Sequence, residues 1–171
     1  MRKQFIRLTV NGDCREVAVA PNQALVEVIR EQFGLTGTKR GCTSGSCGVC
    51  TVNGDDGEAV LSCLALAIEW DGRSITTIEG VAQNGALHPL QQAFLEHGAV
   101  QCGFCTPGLI MTARALLESN PRADAEAINE ALAGAICRCT GHIKVKEAVA
   151  KAVEVLAGGH AGQEGSDGAQ G

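Results

Sequence analysis

Apolar and polar residues alternate at the start of the chain and then change to helical spacing. Within residues 4–10, three apolar side chains stand at every second position, which is the pattern of a half-buried strand. The dipeptide Asn11-Gly12 predicts a tight hairpin turn, and a second strand is predicted over residues 15–20. Apolar residues between 25 and 33 then recur at helical spacing. The chain therefore begins strand, strand, helix, with these apolar positions forming a core.

The next segment, residues 36–50, is rich in glycine and contains three closely spaced cysteines. Cys42, Cys47 and Cys50 have four and then two residues between them, the spacing of a plant-type [2Fe–2S] loop, and Cys63 can supply the fourth ligand. Glycine lets the backbone turn its amide N–H groups toward sulfur. Structural zinc is the alternative, but zinc usually takes two ligand pairs separated by a longer connection. Three cysteines within nine residues and one alone downstream favour an iron–sulfur cluster.

Strand signals continue beyond the cysteine loop. A short strand is predicted over residues 51–52, and after a polar turn a return strand is predicted over 58–70, carrying Cys63. One more strand is predicted over 73–78. Residues 1–79 should therefore form a small sheet with one helix and a cysteine loop at its edge.

After a polar connection, strand signals disappear and helical ones take their place. Apolar spacing predicts four helices, over residues 88–96, 107–119, 123–133 and 143–156. Four helices of this length can pack as a bundle, so an all-α domain is predicted over residues 80–157. The remaining residues, 158–171, are polar and rich in glycine, and we expect them to be disordered.

Four further cysteines lie at the starts of two of the predicted helices. They are Cys102 and Cys105 in QCGFCTPG, residues 101–108, and Cys137 and Cys139 in CRCTG, residues 137–141. Thr106 and Thr140 are expected to cap the two helices, whose exposed N–H groups would favour negative charge beside the sulfurs. If the helices start side by side, the four cysteines would hold a thiolate-bound metal centre. Spacing admits zinc as well as a cluster, although the single residue between Cys137 and Cys139 favours the cluster.

Composition limits the location and the partners that we expect. The chain of 171 residues has a net charge of -5, which argues against nucleic acid as a partner. The sequence has no secretory signal and no apolar run long enough to span a bilayer, so we expect a cytoplasmic protein. In a reducing compartment the nine cysteines are expected to be metal ligands before disulfides, with Cys14 a small, partly buried side chain outside both groups. No catalytic triad, phosphate loop or dinucleotide fingerprint occurs, so we expect no catalytic residue and electron transfer as the only chemistry.

The order of three motifs, CTSGSCGVC, then QCGFCTPG, then CRCTG, resembles the small iron–sulfur subunit of the molybdenum hydroxylases. This is the family of xanthine dehydrogenase, carbon monoxide dehydrogenase and aldehyde oxidoreductase. The resemblance covers about residues 3–157 and matches at all eight ligand positions. It implies an α+β chain in which a β-grasp ferredoxin-like [2Fe–2S] domain is followed by a four-helix-bundle domain with a second [2Fe–2S] cluster.

The resemblance also implies partners and an order of electron flow. Substrate would be oxidised on a large molybdopterin-binding subunit, and electrons would pass through the helical-domain cluster and then the ferredoxin-domain cluster. The acceptor would be FAD on a possible medium subunit or an external molecule. Gln101 and Cys139 are implied to approach the molybdenum cofactor at the interface with the large subunit. Two alternatives stay open, a stand-alone two-cluster electron carrier and the same relay run in reverse in an aromatic acyl-CoA reductase, and tungsten could replace molybdenum.

Overall fold

A computed structural model describes residues 2–160. This part of the chain contains five strands and five α-helices, of which one lies between the second and third strands and four follow the last strand. The strands are β1 (Gln4–Val10), β2 (Asp13–Val19), β3 (Thr51–Asn53), β4 (Ala59–Leu61) and β5 (Ser74–Ile75). The helices are α1 (Leu25–Glu31), α2 (Pro89–Glu96), α3 (Thr106–Ser119), α4 (Ala125–Leu132) and α5 (Ile143–His160). The α+β class predicted from the sequence is confirmed. The predicted tail starts at 158, whereas α5 continues to His160, and the rest of that tail lies outside the described residues.

The first half of the chain is organised around β1. It pairs antiparallel with β2 in the register Gln4↔Val19 to Val10↔Asp13, and it pairs in parallel with β5. The hairpin turn uses positive φ angles at Asn11 (53°) and Gly12 (84°), as the dipeptide predicts. Strands β3 and β4 form a separate two-stranded sheet, which a bridge between Asn53 and Thr76 links to the end of β5. Apolar residues from these strands and from α1 share one core.

The predicted return strand over residues 58–70 is wrong in length. The only strand in this range is β4, Cys63 lies in a turn after it, and a 3-10 helix covers Ala67–Trp70. A turn forms here in place of the predicted strand because it presents two carbonyl groups to the start of α1. The N–H groups of Leu25 and Val26 donate to the carbonyl oxygens of Ala65 and Ser62, both at 2.9 Å. These bonds satisfy helix-terminal donors that lack partners within the helix.

The second half of the chain is helical and has its own core. Helix α5 packs against α2 and α4, and α3 packs against α4 and α2. The buried apolar faces of these helices form one cluster that includes Phe94, Leu109, Ile128 and Val149. None of the helices in the described residues combines the length and apolarity needed to cross a bilayer.

The two halves dock through a buried polar contact between β3 and α3. The side chain of Asn53 is fully buried, and its Nδ2 donates to the carbonyl oxygen of Met111 at 3.0 Å. The guanidinium of Arg114 donates in turn to Asn53 Oδ1 at 3.0 Å, and it also pairs with Glu118 one turn along α3. This contact fixes α3, and therefore the cysteines at its start, against the sheet that follows the first cysteine loop.

Candidate metal centres

The first cysteine set comprises Cys42, Cys47, Cys50 and Cys63. The first three lie in the glycine-rich loop that ends at β3, and the fourth lies in the turn after β4, so the β3–β4 hairpin brings them together. The side chains of Cys42 and Cys47 are in hydrogen-bond contact, as are those of Cys50 and Cys63. A weaker electrostatic interaction joins Cys47 to Cys50. The set therefore consists of two contacting pairs beside each other.

Hydrogen bonds and burial shift the thiol pKa values of the first set in opposite directions. The hydrogen bond from Cys47, with further bonds from the Ser44 and Cys47 backbone, lowers the pKa of Cys42 to about 6. Burial raises the pKa of Cys47, and burial also raises the pKa of Cys50 to about 11. Since a metal binds the thiolate, loading of this set must release protons from the buried sulfurs.

The second cysteine set comprises Cys102, Cys105, Cys137 and Cys139. Cys105 immediately precedes α3, and the CRCTG motif lies between α4 and α5, so the helix starts bring the two motifs together. The Sγ atoms of Cys139 and Cys102 lie 3.5 Å apart, and the side chains of Cys105 and Cys137 are in hydrogen-bond contact. Electrostatic interactions of Cys102 with Cys137 and Cys105 connect the two pairs. This set, too, consists of two contacting pairs.

The pKa values again differ within each pair of the second set. Burial raises the pKa of Cys105 to about 12. Burial acts in the same direction on Cys137, but hydrogen bonds from Thr140 and Cys105 outweigh it and the pKa of Cys137 is lowered. A backbone hydrogen bond from Phe104 lowers the pKa of Cys102. The hydrogen bond between the side chains of Cys139 and Cys102 raises the pKa of Cys139. In each pair, therefore, the pKa of one thiol is lowered and that of the other is raised.

The predicted capping role of Thr106 is wrong, and Thr140 does not cap a helical N–H group either, because its partner His142 precedes α5. Cys105 occupies the N-cap of α3 without a side-chain cap bond, and Thr106 is already the first helical residue because Pro107 suits the first turn. Thr140 stands before α5, and its Oγ1 accepts a hydrogen bond of 3.2 Å from the backbone N–H of His142. The same hydroxyl contacts Cys137 Sγ at 3.1 Å.

The pairing of the sulfurs fits a two-iron cluster better than a single ion. In a [2Fe–2S] cluster bound by four cysteines, each iron takes two cysteine sulfurs. Structural zinc requires four ligands arranged as a tetrahedron around one point. The donor set of eight cysteines is therefore suited to two [2Fe–2S] clusters.

The first cysteine loop touches the start of α3 and the segment after α4 at glycines. A Cβ atom at Gly48 would lie 2.5 Å from the carbonyl oxygen of Gly134, and one at Gly108 would lie 2.6 Å from the carbonyl oxygen of Gly48. The backbone N–H of Ile136 donates to the carbonyl oxygen of Cys47 at 2.9 Å. This junction was not predicted from the sequence. The available signal was Gly48 directly after Cys47, since glycine permits close backbone approach.

The second cysteine set lies at the surface, with exposed apolar side chains around it. Gln101, Cys102 and Cys139 are exposed. Three apolar residues within four positions of these cysteines in the sequence are also exposed, Phe104 at 48%, Ile136 at 58% and Ile143 at 66% of their area.

The ninth cysteine, Cys14, does not join either set. It lies on β2 opposite Thr9, and its side chain is exposed. The prediction of a partly buried side chain is therefore wrong. The apolar side chains that β2 buries, Val17 and Val19, belong to the other end of the strand.

Comparison with protein families places a cluster-binding domain on each half of the chain. Residues 8–74 match a family described as a 2Fe-2S iron-sulfur cluster binding domain. Residues 77–150 match a family described as a [2Fe-2S] binding domain.

Individual relatives match over almost the whole chain. The small FeS subunit of nicotinate dehydrogenase from Eubacterium barkeri is 51% identical over 156 residues, which cover 90% of this chain and 98% of the relative. The iron-sulfur-binding subunit of xanthine dehydrogenase from Escherichia coli O157:H7 is 49% identical over 140 residues, 80% of this chain and 86% of the relative. A chain in the crystal structure of quinoline 2-oxidoreductase from Pseudomonas putida 86 superposes with a TM-score of 0.86 at 41% identity, covering 93% of this chain and 99% of that one.

Proposed function

This chain belongs to the small iron–sulfur subunits of the molybdenum hydroxylase family, and on that premise we propose that it conducts electrons through two [2Fe–2S] clusters between a molybdenum-containing partner and an acceptor. The observation that carries the proposal is the arrangement of eight cysteines as four contacting sulfur pairs in two sets. Substrate oxidation belongs to the partner, and this chain is a non-catalytic subunit of the oxidoreductase.

Each sulfur pair would bind one iron. In the first set the pairs are Cys42 with Cys47 and Cys50 with Cys63, and in the second they are Cys102 with Cys139 and Cys105 with Cys137. Clusters bound in this way supply one-electron centres whose potentials depend on hydrogen bonds to sulfur, burial and net charge. The protein's contribution is to hold the sulfurs in place and to keep the two loops in contact.

The second cysteine set would face the molybdenum partner. Its sulfurs Cys102 and Cys139 are exposed, and so are the apolar side chains of Phe104, Ile136 and Ile143, each within four residues of a cysteine of this set in the sequence. Three such side chains beside one site would suit a protein interface. Docking of a large molybdopterin-binding subunit here would cover these apolar side chains and bring the cofactor to the cluster. Gln101 offers an amide and Cys139 a ligated sulfur as hydrogen-bonding groups for the edge of the pterin.

The first cysteine set would pass electrons onward. Its turn carries Leu64, which is 54% exposed next to Cys63, on a part of the surface formed by the first half of the chain. We place the acceptor on this side, either FAD on a medium subunit or an external molecule. The assembly is therefore a hetero-oligomer in which this chain is the link between two redox partners.

The two cores support a division of the chain at about residue 79. One apolar cluster belongs to residues before this point, and the other draws mainly on α2 to α5. We propose a β-grasp ferredoxin-like domain over residues 1–79 and a four-helix-bundle domain over residues 80–157. Reduced thiolate ligands are characteristic of the cytoplasm, and we propose that location.

The proposal is tested by metal analysis of the native complex, captured anaerobically through a tag on this chain. We expect about four iron atoms per copy of this chain, two for each cluster, with molybdenum or tungsten in the same complex. Iron with no molybdenum or tungsten in an intact assembly would instead identify a stand-alone electron carrier. Zinc in place of iron would contradict the proposal altogether.

A further inference from the structure

We propose that Thr140 sets the reduction potential of the cluster held by the second cysteine set, by donating its hydroxyl proton to the Sγ atom of Cys137. Thr140 is not a ligand, and its effect would act through the ligand Cys137. The inference rests on the proposed function, because it requires a cluster on these sulfurs.

The geometry determines the direction of the hydroxyl bond. Thr140 Oγ1 lies 3.1 Å from Cys137 Sγ and also accepts the backbone N–H of His142 at 3.2 Å. A metal-bound cysteine sulfur carries no proton and can only accept. The hydroxyl must therefore donate to the sulfur, while its oxygen is held by the N–H of His142.

The backbone holds the threonine in this position. The N–H of Thr140 itself donates to the same sulfur at 3.4 Å, so Cys137 receives two contacts from one residue. Gly141 and His142 both have positive φ angles, 58° and 66°, which turn the chain back and direct the His142 N–H at Oγ1. A positive φ at a residue other than glycine costs free energy. The loop therefore adopts an unfavourable conformation at the point where it orients the hydroxyl.

The hydroxyl distinguishes Cys137 from the other ligands of its set. Among the described residues, the hydrogen bonds assigned to Cys102, Cys105 and Cys139 come from sulfur or from backbone N–H groups. A hydrogen bond to a thiolate stabilises negative charge, and the reduced cluster carries one more negative charge than the oxidised cluster. Loss of the hydroxyl should therefore favour the oxidised cluster and lower the potential of the second set alone.

The experiment is an anaerobic redox titration of the complete complex, followed by electron paramagnetic resonance, with the signal of each cluster titrated separately. Thr140→Val keeps the shape of the side chain and removes the hydroxyl, and Thr140→Ser restores it. Thr112→Val is the matched control, because Thr112 lies on α3 seven residues beyond Cys105. If the second-set signal is lost in Thr140→Val, the smaller Thr140→Ala variant is titrated instead.

We expect about a tenfold fall in the ratio of reduced to oxidised second-set cluster at fixed ambient potential, which is 59 mV for a one-electron couple. The first-set potential should not move, and Thr140→Ser and Thr112→Val should stay near the wild-type values. An unchanged potential in the variant without the hydroxyl would overturn the inference, as would equal shifts of both clusters or the same loss in Thr140→Ser. Absence of two [2Fe–2S] signals from the wild-type complex would instead contradict the proposed function.

Discussion

The backbone N–H of Ile136 donates a hydrogen bond of 2.9 Å to the carbonyl oxygen of Cys47. Cys47 belongs to the first cysteine set, and Ile136 is the immediate neighbour of Cys137 in the second. A single hydrogen bond thus connects the backbones that carry the two candidate clusters. Electron transfer between the two sets requires them to be close, and the tight packing at Gly48 and Gly108 shows that the two segments approach closely.

Substitution of Gly48 should disrupt the junction between the loops. In Gly48→Ala the new methyl group would meet Gly134 and Ala135, and the φ angle of +68° is unfavourable for alanine. We expect a loss of about 2 kcal/mol or more in the free energy of unfolding, measured by circular dichroism in denaturant, together with weaker coupling between the clusters.

Gly98→Ala is the control for this prediction. Gly98 has a similar φ of +63°, but it lies on the surface, and a Cβ atom added there would have no other atom within 4 Å. The control should lose only about 1 kcal/mol in the free energy of unfolding, the cost of placing alanine at a positive φ. Equal destabilisation of both variants would show that close approach of the loops contributes nothing.

Replacement of Cys102 should affect one cluster only. Cys102→Ser removes half of the exposed sulfur pair of the second set, while the first set has its own four sulfurs. We expect the second-set resonance to be lost or shifted, and transfer of electrons from the partner to stop, while the first-set resonance remains. Cys14→Ser, which changes an exposed cysteine outside both sets, should leave both signals intact. If both signals survive unchanged in Cys102→Ser, Cys102 is not a cluster ligand.

The buried amide of Asn53 should be important for the docking of the two halves. Asn53→Ala would leave the carbonyl group of Met111 and the guanidinium of Arg114 without this partner. Loss of a buried hydrogen-bond partner costs about 1–3 kcal/mol, and two partners are affected here. We expect a fall of about 2–3 kcal/mol in the free energy of unfolding, against less than about 0.5 kcal/mol for Asn129→Ala on the exposed face of α4. Comparable values for the two variants would contradict a docking role for Asn53.

Local patterns predicted the elements of this chain better than they predicted its contacts. The alternation of apolar residues in β1 and the spacing of cysteines within each motif are short-range signals. The first predicted a strand that the structure contains, and the second predicted cysteines that lie in contact in the structure. The turn at Cys63 was missed because it depends on α1, whose first N–H groups require carbonyl partners from that turn. The contact of Asn53 with Arg114 joins residues 61 positions apart and has no periodic signature in the sequence.

The start of α2 should respond to pH through His88. Its Nδ1 accepts the N–H of Leu90 at 3.2 Å, and burial, with the nearby charge of Arg114, lowers the pKa of His88. The folded chain therefore favours neutral His88. This contribution to stability is complete above the ordinary histidine pKa of about 6.5 and is lost as pH falls from there through the lowered pKa.

Hydrogen exchange of the Leu90 amide measures this effect. After correction for the intrinsic exchange rate, we expect weaker protection at pH 5.5 than at pH 7.5. His88→Asn should retain a cap that does not titrate, so its protection should not depend on pH, whereas His88→Ala should lose about 1 kcal/mol of helix stability at either pH. The same pH dependence in His88→Asn would exclude the histidine as its source.

The electron relay depends most directly on the number and type of metal centres in this chain. The decisive measurement is spin quantitation by electron paramagnetic resonance of the native complex after reduction with dithionite. Two distinct [2Fe–2S] signals, each integrating to about one spin per copy of this chain, are the predicted result. A single signal, or a complex without any reducible iron, would contradict the assignment of the eight cysteines to two clusters.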